Sequence, residues 1–296
     1  MSDIVSNEEK KQKMNKNMVE KSVKKGFTKV IVYMVFILFT ILTIYPLIWL
    51  FYSSFKPNVE IIRHALALPK NPIITNYINA WRIGKLGLYA INSVIYTTIS
   101  TAVTIILAMM ASFAFAKIRY KITKFLYNLF LIGLLITLHS ILVPLFLVET
   151  RIGLQDTHIG IIIPYIAISL PMAIYLGTEF VKGIPDSIIE TAKIDGASYF
   201  QIFLRIILPM CRPVIVTIAI ITVLANWNEF LLVFILTARD VTRSLPVGIY
   251  MFSGPLATEY GMQLAALVIG LAPILLFYTI FHKQITRGVV AGAIKG

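Results

Sequence analysis

Cysteine is almost missing. Cys211 is the single one in 296 residues, so no internal disulfide framework can form. No thiol pair or Cys/His cluster exists to hold a structural zinc, and His64, His139, His158 and His282 stand far apart. These absences leave no metal site to expect. Charge is scarce as well: 14% of residues are Asp, Glu, Lys or Arg, against about 25% in a soluble domain. Acid is the scarcer kind, with 14 residues against 27 basic ones. A Gly-rich loop ending in Lys-Ser/Thr is absent, so no ATP hydrolysis is expected from this chain. Glu149, Glu179 and Glu229 lie too far apart in sequence and depth to suggest an acid/base pair. An inverted repeat, which a secondary transporter would need, is not visible. Short alternating segments of a β-barrel are lacking too.

What remains is apolar. Hydrophobic residues make up 58% of the chain, and the charges avoid long stretches. About 20 apolar residues cross the hydrocarbon core as a helix. Runs of that kind occupy 30–55, 90–116, 125–148, 159–178, 213–238 (interrupted by Glu229) and 260–281. The fold expected is therefore an all-α integral membrane protein with six transmembrane helices, since lipid demands that each segment satisfy its own backbone. Residues 1–29 are polar and rich in lysine, and no A-x-A-like cleavage site follows the first run. They read as a cytoplasmic basic tail rather than a cleaved leader, held near anionic lipid. With the N-terminus inside, well over half of the 27 Lys and Arg fall on inside segments. Both termini are then cytoplasmic. The excess of positive charge is thus a topology signal, because most aromatics lie inside the apolar runs and not beside a basic surface for nucleic acid. Residues 30–296 form one transmembrane domain, whose tail is 283–296. The two longer outside loops, 56–89 and 239–259, carry turn-forming Pro and Gly, with an interfacial helix about 73–83.

The inside segment 183–209 is unusual. Pro185 suits the start of a helix, and Asp186, Ser187 and Glu190 follow where the dipole favours acid. Ile188, Ile189 and Ala192 make a short apolar face. Gly196 permits a sharp change of direction. Phe200, Phe203, Leu204 and Ile207 then recur at helical spacing, and Pro209 stands where the next span begins. Such a helix–turn–helix serves equally as a docking knob for a cytoplasmic protein or as a hairpin lying on the headgroups. The residues alone do not choose.

The segment resembles the signature loop of membrane subunits of ATP-binding-cassette importers: Glu-Ala-Ala, three residues, Gly, nine residues, then Ile-x-Leu-Pro. Here stand Glu190-Thr191-Ala192, then Gly196, then Ile206-Ile207-Leu208-Pro209, with Asp195-Gly196-Ala197 matching the fuller form. Thr191 replaces the usual Ala, which puts tight packing there in question. Asn226-Trp227-Asn228-Glu229-Phe230 is similar to a segment of carbohydrate-type permeases. The ending from Arg287 to Gly296 is similar to that of the smaller six-span partner in the maltose branch. The resemblance runs from about residue 30 to the end.

It implies a sugar permease, multi-pass in a bacterial inner membrane. Its expected partners are a homologous second permease, two cytoplasmic ATPase subunits that bind ATP and Mg, and an extracellular solute-binding protein. Glu190, Ala192, Asp195, Gly196, Ala197 and Pro209 would form the coupling element that docks on the ATPase. Asn226, Asn228 and Glu229 would line the pathway or its gate. Tyr250, Phe252, Gly254 and Pro255 would belong to a loop that enters the binding protein. A phosphorylated polyol is the alternative solute.

Overall fold

The computed structural model describes residues 29–118, 120–253 and 259–293, the side chains from 283 onward excepted. The N-terminal lysine tail and the last three residues lie outside it. Helices account for the described architecture, and four of them are long and apolar enough to cross a membrane alone: α1 (Lys29–Ser53), α4 (Leu86–Lys117), α7 (His158–Lys182) and the stretch Tyr260–His282 of α14 (Tyr260–Ala293). Counting each of two bent helix pairs as one further span raises the number to six.

The bundle is organised around α4 and α7, which pack along their lengths. One face of α4 carries the small residues Ser93, Thr97, Ser100, Thr104, Ala108 and Ser112, all buried. Their spacing of three or four places them on one stripe. In lipid, small residues let two backbones approach and gain dispersion contacts. Gly177 of α7 completes the fit: a Cβ there would stand 2.4 Å from the Ser112 hydroxyl. Ser112 donates to the Ile174 carbonyl at 3.1 Å, whereas the Thr97, Thr101 and Thr104 hydroxyls have no partner among the described residues. Packing rather than hydrogen bonding is thus what most of the stripe contributes. By contrast α1 buries none of its apolar face within the chain.

Two of the expected spans differ from single rods. The run 125–148 is divided between α5 (Lys121–Gly133) and α6 (Leu138–Ile152), bent by 102°. At 1.5 Å per residue each piece spans roughly 20 Å, too short for the hydrocarbon core by itself. The break follows Gly133, which lies against Pro171 of α7. The run 213–238 is α11 (Arg212–Asn228) and α12 (Leu231–Leu236), parted at Glu229 and Phe230.

Ahead of α11, a short helix α8 (Asp186–Ile194) is followed by α9 (Tyr199–Ile202), a π turn at Phe203–Ile207 and α10 (Leu208–Met210). The stretch Tyr199–Met210 bends 75° from α11. Pro209, expected where the next span begins, lies within α10; the change of direction falls at Cys211, and α11 begins at Arg212, one residue from the start of the expected run, with Pro213 in its first turn. At the opposite end of the bundle sit α2 (Asn58–Arg63), α3 (Thr75–Arg82), a 3-10 turn at Asp240–Thr242 and α13 (Leu245–Tyr250). The loop 239–259, expected to be irregular, thus contains ordered turns. Helix α14 continues past 283 to Ala293 without a boundary.

Candidate coupling surface and translocation groove

Helix α8 is two-faced because its apolar residues recur at helical spacing. Ile189 and Ala192 are buried with Ile184, Ile202, Phe203 and Ile207 in one cluster. Glu190, Thr191, Lys193 and Asp195 are exposed, and Ile194 is 86% exposed. Of the coupling candidates, Glu190 and Asp195 therefore face outward, while Ala192 packs inward and anchors the helix. Thr191 points outward and its hydroxyl donates to the Ser187 carbonyl at 2.9 Å, so it disturbs no packing. Gly196 ends the helix at φ +80°, the left-handed conformation that closes many helices, and Ala197 N–H returns to the Ala192 carbonyl at 3.0 Å. Ser198 and Gln201 form a capping box that starts α9, satisfying two orphan donors reciprocally. Pro209 is exposed, away from α8 in sequence but on the same bent segment.

A residue counted above only as a topology charge fixes α8 to the bundle. Lys117 ends α4, its side chain is 4% exposed, and its ammonium donates to the Asp186 carboxylate at 2.7 Å and to the Ile184 carbonyl at 2.5 Å. On α7, the Glu179 carboxylate accepts from Tyr127 at 3.0 Å and from Lys182 at 2.7 Å. Lys193 donates to the Tyr199 hydroxyl at 2.7 Å, joining α8 to α9.

The opposite end is locked around Asp156, another residue with no sequence signal. Its φ is +59°. Its carboxylate accepts from Arg239 Nε at 2.6 Å, from the backbone N–H groups of Ala238 and Arg239, and from the Thr242 hydroxyl. Burial pushes this carboxyl up, but those hydrogen bonds outweigh it and leave Asp156 below its ordinary value. Asp240 is likewise held down, chiefly by the hydrogen bond from Lys85 at 2.7 Å. From α4, Asn92 donates to the Val241 and Arg243 carbonyls at 2.9 Å each, Tyr96 donates to the Thr242 carbonyl at 2.8 Å, and Ser93 accepts from Leu245 N–H at 2.8 Å.

The three pathway candidates are not brought together. Asn226 is buried and Asn228 exposed, as a two-residue step around a helix dictates. Glu229 sits in the break after α11, where its carboxylate accepts from Leu232 N–H at 2.8 Å and Val233 N–H at 3.3 Å, and from the Tyr165 hydroxyl at 3.4 Å. A helix start leaves such N–H groups unpaired, and Glu229 caps α12. Asn228 alone of the three lines a groove of about 400 Å³ between α11, α13 and α14. Tyr250 lines it too, whereas Phe252 packs over Gly84. Gly254 and Pro255 lie outside the described residues.

Comparison with known proteins assigns the scaffold. Residues 116–290 match the model of the binding-protein-dependent transport system inner membrane component. A putative ABC transporter permease of Caldicellulosiruptor sp. (strain Rt8B.4) is 34% identical over 89% of this chain and 96% of its own. The diacetylchitobiose uptake system permease of Streptomyces coelicolor is 32% identical over 88% of this chain and 86% of its own. A chain of a bacterial ABC transporter for import of the acidic polysaccharide alginate shares the fold, with a TM-score of 0.76 at 18% identity over 87% of this chain and 96% of that one. The chain belongs to the family of binding-protein-dependent transport system inner membrane components, the permease subunits of ABC transporters.

Proposed function

We propose that this chain is one of two permease subunits of a sugar importer, with α8 as the element that couples it to an ATPase. The sugar reading is supported by the diacetylchitobiose uptake permease among its relatives. The second permease, two ATPase subunits and an extracellular solute-binding protein complete the machine. ATP and Mg bind in the ATPase pair, so this chain moves solute and catalyses no covalent step. Lys117 ends α4, Lys121 and Lys124 begin α5, Lys182 ends α7, Lys193 lies in α8, and Arg205 and Arg212 fall between α9 and the start of α11, a distribution that supports a cytoplasmic α8 and cytoplasmic termini.

The carrying observation is the split of α8 into a buried apolar face and an exposed polar one, on a helix tied by Lys117 to the bundle. Such a knob transmits motion: closure of the ATPase pair displaces α8, and the attached helices follow as a rigid body. Gly196→Pro tests it. Proline holds φ near −65°, incompatible with the +80° found at Gly196. The variant is expected to insert in the membrane and to lose both sugar uptake and uptake-coupled ATP hydrolysis. Wild-type uptake by Gly196→Pro would overturn the docking role.

A further inference from the structure

We propose that the groove between α11, α13 and α14 is a glycosyl-binding subsite contributed by this chain to the pathway, and that it accepts neutral rather than anionic sugar. The inference rests on the sugar-importer reading above. The groove is open on one side, offers about 400 Å³, and is walled by the aromatic residues Trp227, Phe230 and Tyr250 among others. Tyr250 is held by Phe230 at a tilt of 60° and by Phe234 edge-on at 82°, with ring centroids 5.3 Å apart in both pairs, yet stays 47% exposed. A fixed, half-exposed ring is the surface on which the C–H face of a pyranose packs.

Polar groups converge on the same space. Asn228 uses an amide hydrogen on the Leu224 carbonyl at 2.8 Å, and Gln263 uses one on Ser253 Oγ at 2.9 Å. Each amide oxygen is left without a partner among the described residues, as is the Tyr250 hydroxyl. Two acceptors and a hydroxyl beside aromatic walls match a ligand made of hydroxyls and C–H faces. A lipid tail or a purely apolar partner helix would leave all three unsatisfied, at a cost. None of the described lining residues carries a charge. An anionic sugar would enter such a groove without a counter-ion and lose part of its hydration with no charge to offset it.

The experiment uses the assembled importer in proteoliposomes with its binding protein, and three tritiated neutral probes: maltose, trehalose and diacetylchitobiose. An unsaturated alginate disaccharide serves as the acidic counterpart. Transport of a neutral probe is expected, with the uptake KM raised roughly three- to tenfold in Asn228→Ala and in Gln263→Ala, the loss of one hydrogen bond each. A second readout tests occupancy directly. Asn228→Cys is expected to react with a membrane-impermeant maleimide and to be protected by the transported sugar, while the buried Cys211 of the parent chain stays unlabelled. Neutral uptake with unchanged KM in both variants, or labelling that sugar does not slow, overturns the subsite and leaves the importer reading intact. A cysteine that never reacts overturns it in favour of the partner permease filling the groove. Transport of the acidic probe alone overturns neutrality, and transport of no sugar removes the importer reading and the subsite with it.

Discussion

Replacing Lys117 by Met should uncouple the motor from the bundle while leaving the bundle folded. The Lys117 side chain is 4% exposed and makes two charge-assisted hydrogen bonds, at 2.5 and 2.7 Å. Charged hydrogen bonds contribute about 1.5–3 kcal/mol each. The Asp186 side chain is 46% exposed, so its share is discounted heavily because water replaces the ammonium. Methionine also places an apolar stem where a charge was buried, which offsets part of the loss. The net loosening of α8 from α4 comes to about 2 kcal/mol, roughly a thirtyfold change in the equilibrium between seated and detached α8.

Two assays read that change. Hydrogen exchange of the α8 amides should accelerate by about the same factor if they exchange through detachment. In proteoliposomes, more ATP should be hydrolysed per sugar imported, since closure of the ATPase pair moves a helix that no longer drags α4. Lys117→Arg should restore much of the coupling, because it keeps the charge and the donors. An unchanged ratio of ATP to sugar in Lys117→Met, with faster α8 exchange, would refute the idea that this ion pair carries force.

The contact between α4 and α7 should respond to a single methyl group. Gly177→Ala places a Cβ 2.4 Å from Ser112 Oγ and 3.0 Å from its Cβ, so overpacking of roughly 1–3 kcal/mol is expected. It should appear as a lower melting temperature of the detergent-solubilised complex, and Ser112→Gly should recover most of it. Asp156 gives a pH effect. Its carboxyl lies below its ordinary value, so its contribution is complete above the unfolded value near pH 4 and fades as pH falls towards the folded one. Exchange protection of amides 238–242 should therefore drop in acid for the wild type. In Asp156→Asn it should be lower already at neutral pH and nearly flat across the acid range; an equal acid drop in both would count against the assignment.

The sequence shows most readily those parts where one segment decides its own fate. The runs behind α1, α4, α7 and α14 are long, uncharged and uninterrupted, and each became one helix. The turn at Gly196 lies within a local pattern as well. The break between α5 and α6 did not announce itself, because Gly133-Leu134-Leu135-Ile136-Thr137 is as lipid-compatible as a helix would be. Hydropathy measures solubility in the bilayer and is blind to direction. Glu229 stood out as a charge inside an apolar run, yet its task as a cap follows from the break beside it, which hydropathy does not report. The interlocks were invisible for another reason. Lys117 and Asp186 are 69 residues apart, and Asp156 and Arg239 are 83 apart. No periodicity links such residues; only the packing of α4 on α7 and the course of the chain between them do.

That packing also determines what can move. At the α8 end, Lys117 joins α4 to the start of α8. At the opposite end, Asn92, Ser93 and Tyr96 of the same helix bind the segment 241–245 that leads into α13. Between them the small-residue stripe presses α4 against α7 with no room for a methyl group at Gly177. In the proposed coupling, a displacement of α8 would therefore be delivered along one stiff pair to the segment that carries Tyr250. Compliance lies elsewhere: in the 75° bend at Cys211 and the interruption at Glu229, which bound α11 at its two ends, the second of them beside the groove. One wall of the groove, α13, is tied to the stiff pair through Asn92, Ser93 and Tyr96, and another belongs to the jointed segment, so in the proposed coupling a push from α8 would change the distance between them. A bundle of straight, equally packed helices would have moved as a whole and left its groove unaltered.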